Sequence, residues 1–202
     1  MRAFAIISAL ILFAVMFVFS TPSEASSKKV IFSHTQAVAV ALGHPPSVGP
    51  KPSAKKLGIA AKSFKGAKAK WAALQNKWAA LPVKRISDSG KFKKVYYQKD
   101  GSKISKYAVA SKYLYDGACH HEFMVSITPA FKIEKVIVYI IQCKEAYPIE
   151  SDSFLSQFKG KGLKDKLIIG QDVQAVTRST DSSRYAAAAA RAALDMVEAL
   201  FK

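Results

Sequence analysis

The stretch EFMVSITPAFKIEKVIVYIIQCK, Glu122–Lys144, decides the fold. Glu122–Thr128 and Ile133–Lys144 are rich in β-branched and aromatic residues with a period near two, the pattern of strands. A short turn around Pro129, Ala130, Phe131 and Lys132 joins them into a hairpin. Upstream, Lys91–Lys99 (KFKKVYYQK) and Ile104–Tyr115 (ISKYAVASKYLY) bracket an Asp100-Gly101 turn, a second hairpin signal. If the later turn closes at Thr128 and Ile133, Cys119 and Cys143 fall opposite each other or one position off. A slip of one residue would place them on opposite faces. Facing neighbours in an antiparallel pair lie within disulfide reach. A Cys119–Cys143 disulfide is therefore expected; the alternative is two buried free thiols.

Helical patterns flank the strands. Ser33–Leu42 (SHTQAVAVAL) reads as a short helix capped by Ser33 and ended by Gly43, before a loop holding Pro45, Pro46, Pro50 and Pro52. Ala54–Ala80 is Ala/Lys-rich, and Trp71, Leu74 and Trp78 fall on one helical face as a core stripe; Pro82 stops it. After Glu145, Asp152–Phe158 (DSFLSQF) reads as a helical turn. A final helix runs from about Ser183 to Phe201, with Leu194, Val197 and Phe201 as its apolar stripe. This order implies an α+β fold: an antiparallel sheet of two hairpins packed by helices, with a basic helical N-terminal extension.

The first 25 residues read as a signal peptide. Arg2 is followed by the apolar run Ala3–Phe19, and Ser23-Glu24-Ala25 offers small residues at a cleavage site. A retained membrane anchor is the alternative reading. Export places the chain on the extracytoplasmic side, periplasmic or membrane-associated, where cysteines oxidise. Residues 26–90 form the basic Ala/Lys/Pro-rich extension and 91–202 the main domain. From Ser26 to Ile86 there is no Asp or Glu against twelve Lys and Arg, so this part carries most of the net charge of +17. Such asymmetry suits an anionic membrane surface or an acidic partner, or is a solvated basic arm. Nucleic acid is not expected: export and the lack of an aromatic-interleaved basic motif argue against it. No metal is expected either, because Cys119-His120-His121 has no second ligand cluster. The chain has no CxxCH for haem attachment and no GxSxG, HExxH or Walker-type loop.

The chemistry concentrates in Asp172–Ser183, DVQAVTRSTDSS, which runs into RYAAAAARAALDMVEALF. Five hydroxyls (Thr177, Ser179, Thr180, Ser182, Ser183) and Arg178 and Arg184 surround a helix start. Unpaired N–H groups and the helix dipole favour phosphate there. The same residues also read as an ordinary Ser/Thr cap.

Taken with the Ile133–Val138 strand, Lys144-Glu145, Phe154-Leu155-x-Gln157-Phe158-Lys159-Gly160-Lys161 and Asp172-x-x-Ala175-Val176-Thr177, this segment resembles the FMN-binding domain family. That family includes the flavin subunits of sodium-pumping quinone reductases and related electron-transport complexes. The resemblance covers roughly Tyr107–Leu200. It implies FMN joined through its phosphate to a Ser or Thr hydroxyl by a dedicated flavin transferase. The family motif is similar to Thr177-Arg178-Ser179-Thr180-Asp181-Ser182, which puts Ser182 at the acceptor position. Arg178 stands where the motif has Gly, and Ser179 where it has Ala. If that Gly position needs positive φ, Arg is costly there; Arg178 also offers the phosphate a cation.

For the isoalloxazine ring, Phe154 and Phe158 are candidate walls or simply core, with Tyr147 nearby in sequence. Gln157 and Lys161 are candidate hydrogen-bond donors, and Glu145 a loop-orienting residue. His121 reads as a flavin neighbour or an exposed strand residue. The resulting expectation is an exported FMN-binding electron carrier serving redox partner proteins such as a cytochrome or a quinone-linked complex. Two alternatives stay open: a non-redox envelope module with a degenerate flavin site and a functional basic arm, and a small reductase with loosely bound FMN.

Overall fold

The computed structural model describes residues 28–46, 53–79, 81, 89–115 and 119–202. The expected signal peptide lies outside the described residues, as do the side chains of Leu114, Tyr115, Cys119, Lys144 and Glu145.

The fold is α+β. Six antiparallel strands form one sheet in the order β1-β6-β5-β4-β3-β2. They are β1 (Lys29–Val30), β2 (Ala60–Ser63), β3 (Lys94–Asp100), β4 (Lys103–Tyr115), β5 (Cys119–Ile127) and β6 (Ile133–Ile141). The four central strands are the two hairpins of the sequence. The turn after β5 closes with Phe131 at φ 56 and the bond Thr128 N to Lys132 O. Two register shifts follow along this hairpin, which ends in the pairs Glu122↔Ile140 and His121↔Ile141. Continuing the ladder by two residues brings Cys119 opposite Cys143. Cys143 is disulfide-bonded, and Cys119 is the other cysteine of the sequence.

The stretch 26–90 is more than an extension in its described part. β1 pairs with β6, and β2 pairs with β3, so it supplies both edges of the sheet. Ala60–Ser63 lies inside the segment expected to be helical; the helix there, α2, spans Lys68–Ala79. Two residues of β1 and the AAKS of β2 carry too little alternation to be read as strands.

Alternation along the strands separates two cores. Val109 and Tyr113 of β4, with Phe123 and Val125 of β5, pack under α4 (Thr180–Phe201) and α2. Ala108, Ala110, Met124 and Tyr139 face the other way, against α1 (His34–Ala41). Ser33 caps α1 in a reciprocal box with Gln36. Trp71, Leu74 and Trp78 are buried, as the stripe required. The five alanines Ala186–Ala190 let α4 lie close on the sheet, all of them buried. The short helix α3 spans Asp152–Leu155.

A buried carboxylate fixes α2 to α4. Asp195, 2% exposed, accepts from Lys77 Nζ at 2.8 Å and Trp78 Nε1 at 2.9 Å. It also accepts from Arg191 Nε and Nη2 at 3.1 and 2.6 Å. Arg191 in turn donates to the carbonyls of Leu163 and Asp165, each at 3.0 Å.

Candidate functional site

The hydroxyl-rich segment is built by three local devices. The first is a tight loop before it: Asp172 Oδ2 accepts from Ile168 N at 3.2 Å, and Gly170 N donates to Val173 O at 2.8 Å. The second is Gln157, whose amide brackets the backbone of Gln174. Its Oε1 accepts from Gln174 N at 2.7 Å, and its Nε2 donates to Gln174 O at 3.4 Å. The third is Ser183, fully buried, whose Oγ accepts from Val176 N at 3.0 Å and donates to Ser179 O at 2.9 Å. These bonds use Gln157 and Ser183 to hold backbone.

Between Val176 and α4 the chain reverses through Arg178, which has φ 64. That is the left-handed region, where a residue bearing Cβ carries about 1 kcal/mol of strain or more. Arg178 therefore carries in this turn the cost that a glycine would avoid.

α4 then begins at Thr180, three residues before the expected start. Its first-turn N–H groups precede the first helical bond, Ser183 N to Ser179 O. The Ser179 side chain makes no cap bond to them. Thr177, Arg178 and Thr180 are exposed, and Ser179 is buried. Asp181 pairs with Arg184 at 2.8 Å, which balances the charge that would repel an anion at the helix start.

Ser182, on the first turn and half-buried, points its Oγ at His121 Nε2, 3.0 Å away. His121 comes from β5 and is 1% exposed, so the reading of it as an exposed strand residue is wrong. The rings of Phe123 and Tyr185 each lie 6.2 Å from it, and Tyr185 stacks on Tyr113 at 5.7 Å. Burial lowers the His121 pKa to about 4; His120 adds to the lowering, and a contact with the His120 backbone opposes it. The ring is neutral at pH 7, and Nδ1 is buried without a well-formed hydrogen bond.

Other expected site residues lie elsewhere. Phe154 and Phe158, 2% and 0% exposed, meet edge-on at 5.5 Å within the main core. They are core residues rather than walls for a ring. Their spacing of four carries an apolar helical face whether or not a ligand lies against it. Lys161 is half-buried, and its backbone carbonyl accepts from Ile133 N at 2.7 Å. Tyr147 lies beneath Lys29, whose Nζ is 5.2 Å from the ring centroid. The Glu145 side chain is outside the description. A cavity of about 320 Å³ opens between Ile168, Ile169, Arg184 and Arg191. At 100° per residue this flank of α4 lies across the helix from Ser182.

Among the described residues no helix is long and apolar enough to cross a membrane, and no three His, Cys, Asp or Glu cluster as metal ligands do. No protein-family model matches the chain, and no curated protein matches it.

Proposed function

We propose that this protein is an exported electron-transfer carrier whose FMN is joined through its phosphate to Ser182. One observation carries the reading. Ser182 presents its hydroxyl on the first turn of a 22-residue helix, directly after a residue pattern that turns through positive φ at Arg178. A phosphoester there would meet the first-turn N–H groups and the positive end of the helix dipole. Arg178, exposed at the turn, adds a cation to the surroundings. The residues present therefore fit the phosphate.

Bound FMN supplies reversible electron transfer that no protein side chain here offers. The chain's part is to hold it: Ser182 as the covalent anchor, Gln157 and Ser183 as supports of the preceding segment, His121 as the neighbour of the anchoring oxygen. Phe154 and Phe158 take no part, since both are in the core. A flavin transferase would install the group, and redox proteins such as a cytochrome or a quinone-linked complex would exchange electrons with it. The lysine-rich residues before Ile86 would serve docking to an acidic partner or an anionic membrane surface.

The burial of Phe154 and Phe158 is the observation favouring the second reading, a binding module without flavin. Intact mass after coexpression with a flavin transferase separates the two. A gain equal to FMN less water, abolished by Ser182→Ala, is the expected result. An unmodified, colourless protein overturns the first reading. Retention of the full gain in Ser182→Ala moves the anchor to another hydroxyl.

A further inference from the structure

We propose that His121 takes the hydroxyl proton of Ser182 as that oxygen forms its phosphoester bond. The inference rests on the flavin-phosphate reading above and assigns the step to a residue of this chain.

Geometry separates Ser182 from its neighbours. Ser182 Oγ meets a ring nitrogen, His121 Nε2 at 3.0 Å. Ser183 is tied to Val176 and Ser179. Ser179 is buried, and Thr177 and Thr180 are exposed. A serine hydroxyl is a weak nucleophile until a base within hydrogen-bond reach removes its proton. With the ring proton on Nδ1, the Nε2 lone pair faces Ser182 and accepts it.

The step balances without an oxidant or reductant. The donor is a flavin carrying a pyrophosphate, the chemical class in which phosphorus bears a good leaving group. The Ser182 Oγ–P bond forms as the P–O bond to the departing nucleoside monophosphate breaks. The proton passes from Oγ to Nε2, and the ring becomes an imidazolium beside the new phosphodiester. Opposite charge nearby favours the protonated ring, and the His120 backbone contact acts in the same direction. At rest the ring is neutral, so its Nε2 lone pair is free, and the basicity that burial removes is restored as negative charge develops on the phosphodiester beside it.

The test follows covalent attachment by intact mass over time, using the full chain, a flavin transferase and flavin adenine dinucleotide. Wild type, His121→Gln and Ser182→Ala are compared. Glutamine keeps a side-chain amide near Ser182 but accepts no proton, so a purely structural role would survive the change. We expect His121→Gln to load about 100-fold more slowly, as loss of a general base entails, with the flavin still mapped to Ser182. Loading within about threefold of wild type overturns the proposal and leaves the flavin reading standing. Absence of loading in wild type overturns both; full loading of Ser182→Ala overturns the proposal and moves the anchor of the flavin to another hydroxyl. Should His121→Gln not fold, the titration of the His121 ring in the wild type, followed by NMR before and after loading, decides. An upward move of its pKa on loading supports the proposal; an unmoved pKa overturns it.

Discussion

Trp78 donates its indole N–H to the carboxylate of Asp195 across 2.9 Å, joining two helices 117 residues apart in the chain. Arg191 and Lys77 also donate to this carboxylate. Removing one member of a buried ion pair leaves the others uncompensated, at about 3–5 kcal/mol. Asp195→Ala is therefore expected to lower stability by that amount in urea unfolding. Lys77→Ala, removing a half-exposed partner, is expected to cost about 1 kcal/mol or less. Equal losses would show that the carboxylate is not the hub.

Arg178 supports a different expectation. At φ 64 its side chain carries strain that glycine lacks. Glycine also gains freedom in the unfolded chain, which offsets part of the relief. Arg178→Gly should raise stability by up to about 1 kcal/mol, and Arg178→Val should lower it, since β-branched residues fit this region worst. Calorimetric melting of the two variants checks the order.

The pH dependence follows from two histidine rings, His121 buried and His34 half-buried. His121 and His34 are both lowered from 6.5 to about 4, chiefly by burial. Between those values the unfolded chain binds protons that the folded chain refuses. Stability should then fall as the pH drops from about 6.5 toward 4, by up to about 1.4 kcal/mol per pH unit for each ring. It should be nearly flat above pH 7. The Glu122 carboxyl, held below its usual range by Lys91 and Tyr139 despite its burial, responds only at lower pH. Urea midpoints from pH 7.5 to 4.5 test this, and His121→Gln should flatten the slope.

Gln157 offers a local prediction. Its amide holds both backbone groups of Gln174, so Gln157→Ala should loosen the segment leading to α4 while costing only about 1 kcal/mol globally. Hydrogen exchange at the Gln174 amide should quicken by about tenfold or more, with the β5 amides unchanged. Uniform quickening would mean the effect is global destabilisation instead.

The sequence made the hairpins and the last helix readable because each has a strong period: two in Glu122–Thr128 and Ile133–Lys144, and 3.6 through Leu194, Val197 and Phe201. The hydroxyls mark a helix start, but at about Ser183, three residues after the one observed at Thr180. Other features rest on distant partners. The bond from His121 to Ser182 spans 61 positions, and no local pattern encodes it. Asp195 sits among alanines and leucine like any exposed helix acid, yet it is buried because Trp78 and Lys77 of α2 arrive from elsewhere to meet it. Phe154 and Phe158 show the reverse problem. A ligand wall and a core face have the same spacing, and the burial of both rings decides for core.

The placement of β1 bears on how the chain assembles during synthesis. The first described strand to leave the ribosome, Lys29–Val30, pairs with Ile140–Ile141 of the last. For more than a hundred residues of elongation that edge has no template. Closure of the sheet waits on β6, so the N-terminal strand joins late, by a contact of long sequence separation, which topology makes slow. Until then the outer edge of the nascent sheet is an unpaired row of N–H and C=O groups, the kind that can pair with another chain.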